Sequence, residues 1–229
     1  MDILLPIICF LFLIITILLL TLVSIRIATR NRRRYERTEY FRSTGNSYLQ
    51  VAEDRGLMGE YLTYMELRHW ENRGARFIFN AWLPRRNGKR VEVDLIMISE
   101  DGIFVIESKN RGGIIEGYED DENWIQTLPA PEGAVRRHLF YNPIMQNDYH
   151  VDVLEKIIGY DWNVYSIVVF SDRSHLKVEY GNWENLVVLR RDQLAAQVEK
   201  IHRQNRKGVK LSQRQVDSLY NKIYSASFS

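Results

Sequence analysis

Two apolar strands joined by a tight turn constrain this chain more than any other stretch. They run Asp94-Leu-Ile-Met-Ile-Ser-Glu-Asp-Gly-Ile-Phe-Val-Ile-Glu107-Ser-Lys109. Side chains two apart on a strand point to the same face. Glu107 and Lys109 therefore share a face, and a hairpin at Asp101-Gly102 sets Asp94 beside them. An unpaired carboxylate buried among Val, Leu, Ile and Met is costly. Three ionisable groups on one face of such a strand pair point to a site, and two carboxylates with an ammonium suit metal-dependent phosphodiester chemistry.

The flanking sequence supplies the rest of a mixed α/β architecture. Leu57, Met58, Tyr61, Leu62 and Met65 recur at spacings of three and four, which predicts a helix over 57–70, closed by Gly74. Residues 75–83 read as a strand stopped by Pro84, and Asn87-Gly88 as a hairpin turn. Strands over 91–99 and 103–109 follow, apolar on nearly every residue and so expected to be covered on both faces. Residues 114–141 read as irregular, with Tyr118 and Trp124 as packing anchors. Asn142-Pro143 caps and opens a helix to about residue 158. Residues 164–170 and 186–189 read as further strands. Helices are expected over 192–204 and beyond Ser212, where Ser212 and Gln215 form a capping box. Helix, three strands, helix, strand implies one mixed central sheet flanked by helices.

Residues 3–25 carry no charge and exceed the roughly 20 residues that span a bilayer core. A cleaved signal peptide fits poorly: the start is Met1-Asp2, the run is too long and no Ala-x-Ala follows. A retained transmembrane helix is expected over 1–25. Arg26, Arg30, Arg32, Arg33, Arg34 and Arg37 lie just after it, with no Lys or Arg before it. Positive flanks stay cytoplasmic, so the expectation is a single-pass protein of the cell membrane with its bulk in the cytosol. The Arg cluster also suits anionic lipid head groups. Residues 26–50 read as a basic juxtamembrane linker, 51–190 as the central domain and 191–229 as C-terminal helices. Cys9, the only cysteine, excludes an intramolecular disulfide and a thiolate zinc site.

Charge is unevenly spread. Positions 38–189 hold 16 Lys+Arg against 24 Asp+Glu, a net of −8, and positions 190–229 hold 9 against 3, a net of +6. The central domain is no basic nucleic-acid module, since tight non-specific DNA binding relies on many phosphate contacts.

Gly59-Glu60 in an early helix, Glu92-Val93-Asp94, Glu107-Ser108-Lys109, then Gly112, Gly117, Trp124 and Asn142-Pro143-Ile144-Met145-Gln146 occur in an order that resembles the nuclease-related domain (NERD) family. That family has the restriction-endonuclease-like fold, and the resemblance covers about residues 55–170. It implies a metal-dependent nuclease in which Asp94 and Glu107 ligate Mg²⁺ or Mn²⁺ and Lys109 attends the attacking water. It also marks Glu60 and Gln146 as accessory site residues. Nucleic acid is the implied substrate, with DNA expected, and the membrane is engaged through residues 3–25. The chemistry agrees from below: hard carboxylate oxygens suit Mg²⁺, and such an ion activates water at neutral pH.

Duller readings stand beside these. Asp94 is also readable as a partnered buried acid, Glu107 and Lys109 as an edge-strand ion pair, and Glu60 and Gln146 as solvated helix residues. His150, four after Gln146 on one helix face, reads as a hydrogen-bonded structural histidine. Glu92 is expected to play no part. Lys89, Arg90, Arg136 and Arg137 read as surface loop charges. The alternative function is a non-cleaving nuclease-fold module that binds nucleic acid or a protein partner at the membrane.

Overall fold

The computed structural model describes residues 4–228 apart from Asn87. Ile3, at the start of the expected span, and Asn87, of the expected Asn-Gly turn, lie outside the described residues. The chain forms two compact units that divide between Tyr48 and Leu49.

In the first unit, α1 (Leu4–Tyr35) presents its Ile, Leu and Phe side chains from Ile7 to Ile27 to the outside. From Pro6 to Tyr35 it is long and apolar enough to cross a membrane. The backbone over 26–50 is largely helical. Arg is a good helix former, and α1 continues through the Arg cluster to Tyr35. There Thr38 caps α2 (Glu39–Thr44), its Oγ1 accepting the Phe41 N–H at 3.2 Å, and Gly45 ends it at φ +69°. The Tyr35 hydroxyl donates to the Asn46 carbonyl at 2.7 Å. A short helix, α3 (Tyr48–Glu53), follows.

The second unit begins with α4 (Arg55–Leu67), which runs into a 3-10 turn closed by Gly74 at φ +84°. Strands β1 (Arg76–Pro84), β2 (Arg90–Ser99) and β3 (Gly102–Lys109) form an antiparallel meander. Next come β4 (Gly113–Tyr118), β5 (Asn123–Pro129), β6 (Val135–Tyr141), α5 (Pro143–Ile158), β7 (Val164–Phe170), β8 (Ser174–Glu179), β9 (Leu186–Arg190), α6 (Arg191–Gln204) and α7 (Gln213–Phe228). The main sheet has the order β1-β2-β3-β7-β9, with β3, β7 and β9 parallel. Helices α5 and α7 cover one face through a cluster that includes Val105, Leu154, Leu219 and Ile223. On α4, Tyr64 stands edge-on to Phe77 and Phe79.

Two expectations are corrected here. Residues 114–141 are not irregular: β4, β5 and β6 join β8 in a second sheet of order β6-β5-β4-β8. They bury few residues and β6 is mostly exposed, so the alternation that marks a half-buried strand is weak. Trp124 is fully buried as expected and stacks on Phe170, but Tyr118 is exposed and contributes its carbonyl to Trp124 Nε1 at 2.9 Å. The buried face of α4 also differs. Gly59, Thr63, Tyr64 and Leu67 turn inward rather than the Leu57–Met65 stripe. Gly59 sets this: a Cβ there would lie 2.7 Å from the Asn110 Cβ, so the helix approaches the end of β3 closely on its bare side.

The two sheets are joined through paired crossovers. β3 and β7 are parallel neighbours, as are β4 and β8 into which they lead. Ser171 N–H donates to the Lys109 carbonyl at 3.1 Å, and Gly113 N–H to the Arg173 carbonyl at 3.0 Å. Trp124 anchors the second sheet on the first, and its ring lies where a Gly117 side chain would point, 2.3 Å from an added Cβ. Overpacking of that kind costs about 1–3 kcal/mol. Gly117→Ala is expected to lower the thermal midpoint by several degrees, and an unchanged melting curve would show that the Trp124 contact carries no such constraint.

Candidate functional site

The site lies where β2 and β3 part. Their ladder runs from Ser99↔Gly102 to Leu95↔Ile106. At the next step the Asp94 side chain replaces the backbone: Asp94 Oδ2 accepts the Ser108 N–H at 2.8 Å. Opposite Asp94 on β1 stands Asn80, at φ +49°, a left-handed conformation that Asn tolerates better than most residues. The alternation of both strands breaks there. Ile78 and Ala81 share one core cluster, as do Val93 and Ile96, although each pair is three residues apart. Backbone outliers of this kind gather at functional sites. This one turns Asp94 toward β3 while Val93 stays in the core.

On β3, alternation does the rest. Ser108 points to the α4 face, with its Oγ 3.0 Å from Thr63 Oγ1. Glu107 and Lys109 point to the α5 face. Lys109 Nζ donates to Glu107 Oε1 at 2.5 Å and to Gln146 Oε1 at 2.9 Å. Gln146 is in place because Asn142 caps α5, accepting from Ile144 N–H at 2.9 Å. Asn147 fixes the helix to the sheet by donating to the Val105 carbonyl at 3.0 Å and to Ser166 Oγ at 2.9 Å. Glu60, on α4, is close enough to Glu107 for its charge to act there. The structure therefore brings Asp94, Glu107, Lys109 and Gln146 together, with Glu60 at their margin.

Electrostatics in this cluster are strained. Glu107 is 1% exposed. Burial, then the neighbouring Asp94 charge, pushes its carboxyl up to about 8 against the pull of Lys109. Asp94 keeps some accessible surface, yet protein atoms packed round its carboxyl raise it too, while the Ser108 N–H and Lys109 draw it down. Glu92, expected to stand apart, is also raised by burial and by Asp94, and Asn80 hydrogen-bonds it.

His150 departs from its sequence reading as a hydrogen-bonded histidine. It is 2% exposed, its Nδ1 stands 3.4 Å from Glu107 Oε2, and neither atom has a hydrogen-bond partner. Burial and the Lys109 charge push His150 down to about 4, so it is neutral at pH 7. The i,i+4 spacing from Gln146 was its only sequence signal. Asn80 gave none, because a single left-handed residue leaves no periodic trace.

The residues present fit a divalent cation. Glu107 Oε2 is a buried carboxylate oxygen with no hydrogen-bond partner, next to a second carboxylate on Asp94. Such an orphan costs about 1–3 kcal/mol or more for a charged group unless a cation meets it. The donors are hard oxygens, as Mg²⁺ or Mn²⁺ prefers. A second acid and histidine cluster, Glu100, Asp101 and His202, is different in kind. Lys210 Nζ sits 3.0 Å from Glu100 Oε1 and His202 Nδ1 2.8 Å from Asp101 Oδ2, an ion-pair network that ties α6 to the β2–β3 turn.

The anchoring of α5 is testable apart from any chemistry. Asn147→Ala would remove the bonds to the Val105 carbonyl and to Ser166 Oγ, at about 1–3 kcal/mol for the pair. A lower denaturation midpoint is expected, and a midpoint equal to the parent's would deny Asn147 that role.

Comparison with known proteins gives three findings. A protein of Bacillus anthracis described as uncharacterized is 28% identical over 127 residues, 56% of this chain and 58% of the relative. The chain thus spans just over half the length of that curated relative. The crystal structure of a protein of unknown function covers 74% of this chain and 99% of its own, with a TM-score of 0.31 at 9% identity. The model of the nuclease-related domain matches residues 55–171, about half of the sequence and the stretch that holds every residue of the site, so this chain belongs to the nuclease-related domain (NERD) family.

Proposed function

We propose that this chain is a membrane-anchored, cytosol-facing, metal-dependent nuclease that hydrolyses phosphodiester bonds of nucleic acid, with DNA as the expected substrate. The observation that carries the reading is the buried Glu107 carboxylate, whose Oε2 has no hydrogen-bond partner, beside Asp94 and under the Lys109 ammonium. A carboxyl buried beside a second one costs stability, so a role other than holding the fold together accounts for it best.

Asp94 and Glu107 would hold Mg²⁺ or Mn²⁺, which when bound polarises a phosphoryl group and lowers the pKa of a coordinated water. The chain's own groups do the remainder. Lys109, fixed by Glu107 and Gln146, holds a positive charge where negative charge develops in the transition state. Gln146 keeps that ammonium from collapsing wholly onto Glu107 and offers its amide N–H groups to a water or a phosphate oxygen. Glu60 adds negative charge at the margin, suited to a second cation or an ordered water. Neutral His150 excludes solvent behind Glu107 without competing as a cation.

The test is cleavage of supercoiled plasmid, linear duplex, single-stranded DNA and RNA with Mg²⁺, Mn²⁺ or EDTA. Metal-dependent cutting is expected, with Glu107→Ala at background. Lys109→Ala should lose about 100-fold or more, the scale for removing one group that stabilises transition-state charge. Cutting retained by Glu107→Ala would sink the assignment. The acidic balance of positions 38–189 favours the second reading, a module that binds without cleaving, and a folded protein silent on all four substrates would point there.

Metal binding is readable without turnover. A ligand held only by the folded state stabilises it, by about 2.7 kcal/mol at a hundredfold excess over Kd. Mn²⁺ should raise the melting temperature of the parent but of neither Asp94→Ala nor Glu107→Ala. An equal rise in all three would place the ion elsewhere.

Orientation follows from the Arg cluster after the span. A Cys9→Ser, Val209→Cys variant tests it, since Val209 is 95% exposed. In intact cells an impermeant maleimide should label Cys at 209 only after permeabilisation. Labelling without permeabilisation would reverse the assignment.

A further inference from the structure

Beside the site, between the end of β1 and the outer side of α5, lies a groove of about 540 Å³. Arg85 and Arg86 line one side, and Tyr149, Lys156 and Tyr160 the other. The Arg85 guanidinium lies over the Tyr149 ring, 4.9 Å from its centre, and Arg85 Nε is buried with no hydrogen-bond partner. Tyr160 is 67% exposed and Tyr149 38%. Lys156 is ion-paired with Asp152, so the groove's positive charge rests on the two arginines.

Two stretches of backbone connect the groove's lining to the carboxylates. Tyr149 is adjacent to His150, whose Nδ1 is 3.4 Å from Glu107 Oε2, and one turn of α5 beyond Gln146. Pro84 pairs with Arg90, four residues from Asp94 and so about 13 Å along β2. From Gln146 to Ile158, the last residue of α5, is about 18 Å at a helical rise, and Tyr160 lies just past the helix end.

We propose that this groove holds single-stranded nucleic acid, its bases stacked on Tyr149 and Tyr160 and its phosphates met by Arg85 and Arg86, and feeds that strand to Asp94 and Glu107. The inference rests on the nuclease reading and names its substrate class. Exposed aromatic rings beside a cationic groove are the usual platform for an unpaired strand, because every base has a π-face. A duplex keeps its bases stacked inside and offers only phosphates. Two arginines against an acidic surround are a poor grip on those, since duplex affinity grows with the number of phosphates neutralised. Arg86 is exposed and Arg85 half-buried, so their guanidinium groups can donate to phosphate oxygens at the groove's edge.

The experiment uses the full-length chain in detergent, with EDTA present so that strands stay intact. Anisotropy of a labelled oligothymidylate is compared with an abasic strand and a duplex of equal length. The single strand should bind tightest. Tyr160→Ala and Tyr149→Ala should each weaken it by about 5- to 150-fold, the range for one stacked base, while moving the abasic strand and the duplex less than twofold. Two phosphate contacts predict a slope of log K against log salt of about −1.4. Tyr160 is exposed, so its variant should melt with the parent and isolate the loss to binding. Equal loss on the abasic strand would mark a general polyanion patch and overturn the proposal, as would a duplex bound as tightly as the single strand. Metal-dependent hydrolysis of bis(p-nitrophenyl) phosphate, which has no bases to stack, separates the two readings. If parent and tyrosine variants hydrolyse it alike but strand binding ignores the tyrosines, the groove fails and the nuclease stands. If none hydrolyses it while strand binding needs the tyrosines, the nuclease fails and the groove stands.

Discussion

The hydrogen bond from Ser108 N–H to Asp94 Oδ2 is the joint on which this site turns. A ladder that continued past Leu95↔Ile106 would spend that donor on the β2 backbone and hold the strands together. By taking it with a side chain, the chain parts β2 from β3 without leaving a buried N–H unsatisfied. The end of β3 is then free to be held by β7 alone. The parting brings a carboxylate into a gap at the sheet, and Glu107 and Lys109 reach the same gap by simple alternation. Asn80 makes this possible from the other side, because its left-handed backbone twists β1 and β2 together at that level.

The same arrangement sets two demands against each other. Burial stabilises the strands around Glu107, yet a buried carboxylate next to another is the least comfortable group in the unit. Lys109 relieves part of this through its 2.5 Å contact, and Gln146 keeps the ammonium in place. His150 relieves none of it, since burial and Lys109 keep it neutral. What remains is carried by the apolar clusters on either side and by the Asn147 bonds that clamp α5 to β3 and β7. Two carboxyl groups, Asp94 and Glu107, stand against one ammonium, Lys109, and both are raised, so an entering cation would take the place of a proton there.

Much of the fold was legible because the main sheet is made of strongly apolar strands. The β3 and β7 segments announce themselves through Ile, Val and Phe, and the start of α5 through Asn142 and Pro143. The second sheet was not legible, since β4 to β6 bury few residues and β6 presents Val135 and Leu139 outward. The face of α4 was misread for a related reason. Hydrophobic spacing favours Leu57, Met58 and Tyr61, but a close approach is made on the side with the least atoms, and Gly59 provides it. In the site, period-two alternation places Glu107 and Lys109 on one face from residue order alone. The turn of Asp94 into their company depends on Asn80, and the burial of His150 against Glu107 depends on where α5 docks, and neither is written in any local pattern.

The uneven charge acquires a physical sense once the groove and the site are seen together. A unit that is net negative over most of its length repels a polyanion at long range, and such repulsion is screened beyond about 8 Å at physiological salt. Inside that distance the partner meets Arg85, Arg86 and Lys109 rather than the average surface. Selection by short-range contact is therefore favoured over general attraction. Aromatic stacking on Tyr149 and Tyr160 is such a contact, available to an open strand and closed to a paired one, and largely indifferent to the field around it. The low count of cations near the site is then no argument against nucleic acid. It is a reason for the aromatic rings to carry the proposed binding.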